Sequence, residues 1–265
     1  NLLLYNPHIT ELTARLPSQH FDAIIELRGN WKTFFYTLQY LPKLYVAKGL
    51  IRLRNKGKRI HDIDINLAII TPLISKQHRN YATKIYTTTE NIILPSQPLL
   101  CLHPGGNSAL RQWPPERFAN IINWAITQHN FAVWLLGSQY EHQLCETIAL
   151  LTSHQASNQA GVYTLNQTAY ILSQSVLFIG NESGPLHIAA AVNCPSIGLF
   201  GPGVPTVFYP KQTNTRIIHH VLTCNPCNQI TCTNPSNWCM NIISEAEVKK
   251  AINELYSPTI NKTLT

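Results

Sequence analysis

The sequence predicts an α/β protein built on a parallel sheet covered on both faces, and three observations carry that prediction. Short apolar runs recur along the chain, each closing near Gly, Asn or Pro. Stretches with helical spacing lie between them. The runs are apolar throughout rather than alternating, as strands buried on both faces must be.

Taken in order, "AIIEL" (23–27), "LLCLHPGG" (99–106), "FAVWLLG" (131–137), "VLFIG" (176–180) and "SIGLFGP" (196–202) read as strands with their exits. Helical spacing covers 115–129, 140–152, 166–175, 185–193 and 244–256. The first of these helices is the best marked. Pro114 and Pro115 stand at its opening turn, where a missing N–H costs nothing, and Glu116 follows where a carboxylate favours the helix dipole. Phe118, Ile121, Ile122 and Ala125 then make one apolar face.

"YTTTENIILPSQP" (86–98) has no helical period and carries two prolines, the signature of a linker. It divides the chain into an N-terminal part, 1–95, and a C-terminal part, 96–265. The C-terminal part holds a full set of alternating elements. Residues 1–90 yield one convincing strand and two or three helices, too few to cover a sheet, so further strands are expected before Asn1.

Composition narrows the class. A chain of 265 residues with 45% hydrophobic content can bury sizeable cores. It has no apolar run of about 18 residues, and "NLLLYNPHIT" lacks the basic start and small-residue cleavage site of a signal peptide, so a soluble, cytoplasmic protein is expected. The net charge is +7, and "KLYVAKGLIRLRNKGKR" (43–59) holds seven cations and no acid. That stretch reads either as a solvated helix end and loop or as the footprint of an anionic partner. It lacks the aromatic interleaving of a single-strand binder, and no nucleic-acid partner is expected.

Of seven cysteines, Cys101, Cys145 and Cys194 sit in apolar contexts where a buried, reduced thiol is ordinary. Cys224, Cys227, Cys232 and Cys239 form a C-x2-C-x4-C-x6-C cluster. Four thiolates at that spacing suit a metal or a plain structural loop; the spacing is not that of a zinc ribbon, and no metal is expected.

The chemistry concentrates in loops at strand ends. In parallel sheets, ligands bind where a strand's C-terminal loop turns into a helix N-terminus with free N–H groups and partial positive charge. "HPGGNSALRQW" follows "LLCL", and "GNESGPLH" follows "VLFI". Gly105 and Gly106 let backbone N–H groups approach an anion, with Arg111 placed to reach back over the site. Ser183 and Gly184 would cap the helix opening at Pro185, whose first turn and His187 face a phosphate. Glu182 is suited to accept from sugar hydroxyls. A third loop, "GSQYEHQL", adds Glu141, either a ribose ligand or an ordinary first-turn helix acid. Each loop alone also fits a ligand-free α/β turn, and neither is a P-loop or G-x-G-x-x-G motif. His219 and His220 read as structural, and His103 as the end of its strand.

These segments, with "CNPCNQITCTNPSNWCMNIISEAEVKKAI" and, in the first half, "FDAIIELRGNWKTFF" and "RIHDIDINLAII", closely resemble the family 9 glycosyltransferases, the ADP-heptose:lipopolysaccharide heptosyltransferases. The resemblance implies a GT-B fold of two Rossmann-like domains, here with the N-terminal one incomplete, and inverting transfer of heptose from ADP-heptose to the anionic lipid A/Kdo inner core at the inner membrane surface. It implies no metal or cofactor. By position it carries Gly105, Gly106 and Arg111 to the donor's diphosphate, Glu141 to its ribose, and Glu182, Ser183, Gly184, Pro185 and His187 to the donor loop. Glu182 stands where the family usually has Asp, and Arg111 where Lys is common; Arg and Lys are not interchangeable at a phosphate. The family's opening strand, with the aspartate proposed as general base, has no counterpart here, so the general base is expected upstream of Asn1. The alternatives are a non-catalytic nucleotide-sugar-binding remnant and a related transferase using another sugar nucleotide.

Overall fold

A computed structural model describes residues 22–27, 31–38, 40–71, 85–212, 214–227, 231–235 and 238–256. They fall into two compact units, a smaller one that takes in residues 22–71 and 206–208 and a larger one within residues 85–205 and 209–256. Arg28, Gly29 and Asn30, part of the first-half motif, lie outside the described residues.

The smaller unit begins with β1 (Ala23–Glu26), α1 (Trp31–Leu38) and β2 (Leu44–Ala47). β1 and β2 pair in parallel, from Ala23 opposite Leu44 to Glu26 opposite Ala47. The second strand corrects the sequence reading, which found one strand here and no strand within 43–59. Three of its four residues are only partly buried, Ala47 alone being buried, and the strand is flanked by lysines, so no strong apolar run marks it. α2 (Lys48–Arg54) and α3 (Asp62–Ile70) follow. Asp62 opens α3, where a carboxylate meets the positive end of the dipole. It accepts from Lys48 Nζ at 2.7 Å and Arg52 at 2.9 Å. Burial alone would raise the Asp62 carboxyl; these two cations outweigh it and hold the group below its ordinary value.

The larger unit is a six-stranded parallel sheet in the order β5-β4-β3-β6-β7-β8. From residue 99 onward the chain runs β3 (Leu99–His103), α4 (Pro115–His129), β4 (Ala132–Leu135), α5 (His142–Leu151), β5 (Ala156–Asn158), α6 (Leu165–Gln174), β6 (Leu177–Asn181), α7 (Gly184–Ala191), β7 (Ser196–Phe200), the short α8 (Pro205–Phe208), β8 (Thr215–His219), α9 (Cys239–Ile242) and α10 (Glu245–Leu255). β3, β6 and β7 are buried at every position, as the continuous apolar runs require.

Strand alternation sorts side chains to two cores. Leu100 and Leu102 of β3 pack with Phe118, Ile148 and Ile252 beneath α4, α5 and α10. Leu99 and Cys101 pack on the other face with Leu172 and Leu186 of α6 and α7. α4 ends at Asn130 in the left-handed region, φ 53°, whose N–H caps the Ile126 carbonyl at 2.9 Å. Ser244 and Glu247 close a capping box on α10, as Thr164 and Gln167 do on α6.

The strand order fixes where a ligand can sit. β3, β4 and β5 run outward in one direction, and β6, β7 and β8 in the other, so the direction of winding reverses between β3 and β6. At that switch point the loops leaving adjacent strands diverge and open a crevice at the strands' C-terminal ends.

Candidate functional site

Both Gly-rich loops picked out in the sequence leave the sheet at this switch point, one from β3 and one from β6, whose residues pair from Leu100–Leu177 to His103–Gly180. Asn181, the last residue of β6, ties them together. Its fully buried side chain donates to the carbonyls of Pro104 (2.7 Å) and Gly105 (3.1 Å) and accepts from the Trp113 N–H (3.1 Å). A buried amide that satisfies three backbone groups fixes the path of the Gly105–Gly106 loop.

His103, at the end of β3 and 3% exposed, makes a second tie. Its Nδ1 lies 3.0 Å from Ser183 Oγ, and its Nε2 lies 3.2 Å from Glu141 Oε1. The other Glu141 oxygen accepts from the N–H and the hydroxyl of Ser138, at 2.7 and 2.8 Å. Burial would raise the Glu141 carboxyl, but the His103 hydrogen bond and charge, with the Ser138 bonds, hold it at about 2. Glu141 is therefore ionised and engaged through both oxygens. Gly105 lies directly against it: a Cβ there would stand 1.7 Å from Glu141 Oε1, so this position must be glycine for the carboxylate to lie where it does.

Glu182 begins the second loop, 6% exposed. Its Oε1 is 3.7 Å from the Arg111 guanidinium, and its buried Oε2 has no hydrogen-bond partner among the described residues. Burial raises its carboxyl above the ordinary value, with Arg111 opposing. Gly203, beyond β7, makes room for this side chain; a Cβ there would lie 1.9 Å from Oε2.

Ser183 occupies the N-cap position of α7 but does not cap it. Its hydroxyl donates to the Asn181 carbonyl at 3.0 Å and faces His103 instead. This corrects the expectation that Ser183 would cap the helix, and the reason is the competing pull of a buried partner. The first-turn N–H groups, which have no intrahelical acceptor, are thus left without a side-chain cap. Gly184 is exposed, and an added Cβ would meet nothing within 4 Å. Pro185 sits in the first turn and His187 is half-buried on the same helix. Gly106 is half-buried, and an added Cβ there would meet Arg111 and Ser108 only at ordinary contact distance. A crevice with free N–H donors, one guanidinium and one buried carboxylate can hold a diphosphate beside hydroxyl groups.

The structure brings Gly105 together with Glu141, and Arg111 with Glu182. Sequence reasoning missed Asn181 and Gly203 and set His103 aside. Polar residues ending otherwise apolar strands were the available signal for His103 and Asn181. The four clustered cysteines line one small cavity with Leu110 and Trp238, all four as free thiols. Among the described residues no three His, Cys, Asp or Glu side chains stand in an arrangement that could hold a metal ion. No described helix is long and apolar enough to cross a membrane.

The chain is 27% identical over 214 residues to lipooligosaccharide heptosyltransferase 2 of Campylobacter jejuni, covering 77% of this chain and 67% of that protein. It is 30% identical over 140 residues to lipopolysaccharide heptosyltransferase 2 of Escherichia coli K12, covering 51% of this chain and 40% of that protein. Taken over the curated relatives it matches, the chain spans about half their length, from 36% to 67%. The crystal structure of a family 9 glycosyl transferase from Veillonella parvula superposes on 90% of this chain and 74% of its own, with a TM-score of 0.70 at 17% identity. The α/β architecture of the GT-B type is shared with these structures. The model of glycosyltransferase family 9 (heptosyltransferase) matches residues 61–237, well over half of the sequence and spanning every element of the crevice, and the chain belongs to that family.

Proposed function

We propose that this chain is the donor-binding part, with a portion of the acceptor part, of an inverting heptosyltransferase that moves heptose from ADP-heptose to the lipopolysaccharide inner core. The single observation that carries the reading is the uncapped N-terminus of α7 at the sheet's switch point, flanked by Arg111 and Glu182. In direct displacement, an acceptor hydroxyl loses its proton to a base and attacks the sugar C1 as ADP departs. Negative charge grows on the diphosphate oxygen that leaves. The first-turn N–H groups of α7 and the Arg111 guanidinium are fixed donors aimed where that charge develops. Gly105 and Gly106 let the backbone approach the same phosphates, and His187 lies along α7 beside them. Glu182, with a free oxygen, accepts from heptose hydroxyls. Glu141 contributes to the ribose side through the loop it braces.

The smaller unit supports the anionic acceptor. Of its basic stretch, Lys43, Lys48 and Arg52 are paired with Asp22 or Asp62, while Arg54, Lys56, Lys58 and Arg59 are exposed. An acidic, phosphorylated lipid at the inner membrane surface, approached from the cytoplasm, complements that cluster.

Gly184→Val tests the donor site. Its side chain enters open space, so the unfolding midpoint should not move, whereas a ligand seated on α7 would meet it. Calorimetric titration should show selective binding of ADP over UDP and GDP, weakened by about tenfold or more in the variant. Equal ADP binding by both proteins would remove α7 from the site.

A further inference from the structure

We propose that His103 is a positioning residue that keeps the α7 N-terminus open, by holding the Ser183 hydroxyl away from its own helix. The inference rests on the donor site being at α7.

The argument begins with what a serine at an N-cap ordinarily does. Its hydroxyl oxygen accepts from a backbone N–H of the first turn. Two other helices of this chain follow the rule: Thr164 accepts from Gln167 N on α6, and Ser244 from Glu247 N on α10, both at 3.3 Å. On α7 the equivalent donor is Leu186, since Pro185 has no N–H. Ser183 has the extended backbone of an N-cap, φ −156° and ψ 171°, yet makes no such bond. What differs is His103. Its Nδ1 stands 3.0 Å from Ser183 Oγ, and the hydroxyl is also drawn to the Asn181 carbonyl.

The imidazole is in turn held in place. It is 3% exposed, ends a fully buried strand, and presents Nε2 to the Glu141 carboxylate at 3.2 Å. Glu141 is anchored by Ser138. The chain Ser138–Glu141–His103–Ser183 therefore runs across the loops following β4, β3 and β6, and it ends on the N-cap hydroxyl, which is placed to compete with an anion for the first turn of α7. Without His103, a rotation about the Ser183 Cα–Cβ bond would bring Oγ to Leu186 N–H, and a phosphate would then have to displace it.

A double-mutant cycle on ADP affinity tests this. In His103→Gln the longer amide reaches the Glu141 side and releases Ser183. Its ADP affinity should fall about fivefold to tenfold, the strength of one N-cap converted to a binding ratio. In a Ser183→Ala background the same His103→Gln change should have no effect, because no hydroxyl remains to compete. His103→Asn, whose amide reaches only the Ser183 side, should keep at least about half of the wild-type affinity. The unfolding midpoint of each variant identifies any that fails to fold; if His103→Gln fails, His103→Asn decides. Equal losses from His103→Gln in both backgrounds would mean that His103 acts by packing alone and would overturn the proposal. So would unchanged affinity in His103→Gln, or a loss in His103→Asn as large as in the Gln variant. Absence of ADP binding by the folded wild type would instead remove the donor reading on which the proposal stands.

Discussion

Replacing Glu141 by Gln removes one charge and little else, and the structure sets the size of the effect. The carboxylate faces His103 Nε2 and Ser138, and its carboxyl is held at about 2 against an ordinary 4.5. At about 1.4 kcal/mol per pKa unit, the ionised form favours the fold by about 3 kcal/mol at most. The side chain is 21% exposed, and solvent screening reduces the usable part to about 1–2 kcal/mol. The sign follows from the direction. A carboxyl depressed in the folded state stabilises it above the unfolded value of 4.5, and loses that contribution as pH falls towards about 2. Urea unfolding at about pH 7 should therefore find Glu141→Gln less stable than wild type by about 1–2 kcal/mol, and at about pH 3 the gap should have narrowed markedly. A gap that is the same at both pH values, or absent at neutral pH, would refute the assignment of Glu141 as an ionised brace.

Gly203→Ala places a Cβ 1.9 Å from Glu182 Oε2 in a buried setting, and should cost about 1–3 kcal/mol in urea unfolding; a neutral result would mean that Glu182 does not lie against Gly203. Asn181→Ala strands the buried Trp113 N–H and frees the Pro104 and Gly105 carbonyls, so a loss of about 2–4 kcal/mol is expected in the same assay. The Cys101 and Cys145 thiols are pushed up to about 12, chiefly by burial. In the native protein at about pH 8 both should resist iodoacetamide, as read by peptide mass spectrometry, and become alkylated only on unfolding.

Much of the larger unit was legible because its strands are buried on both faces and its helices carry explicit punctuation. α4 opens on Pro115 and stops where Asn130 takes the left-handed cap, and the predicted span 115–129 is the one observed. β2, β5 and β8 were not legible. β5 is three residues, Ala156–Asn158, with one buried, and β8 is no more than half-buried at any position. Edge and short strands pack one face or less, so burial does not force a pattern on them. The loops of the candidate site could be found from Gly, Ser and acidic residues after apolar runs. Their wiring could not, because Ser183 and His103 are 80 residues apart, and Asn181 lies 68, 76 and 77 residues from its partners. Contacts of that separation are decided by strand order, which local sequence does not encode.

That strand order also has a consequence in time. The sheet is laid down from its centre outward, first β3, β4 and β5 along one wing, then β6, β7 and β8 along the other. As the chain leaves the ribosome, the first wing can pair before Leu177 has been made, at the pace of about 5–20 residues per second. The crevice takes one wall from each wing, so it does not exist until the second wing docks on β3. Binding of the proposed nucleotide would then report on completed assembly of the sheet. A ligand of that crevice, binding only the finished form, draws the late docking step forward by mass action.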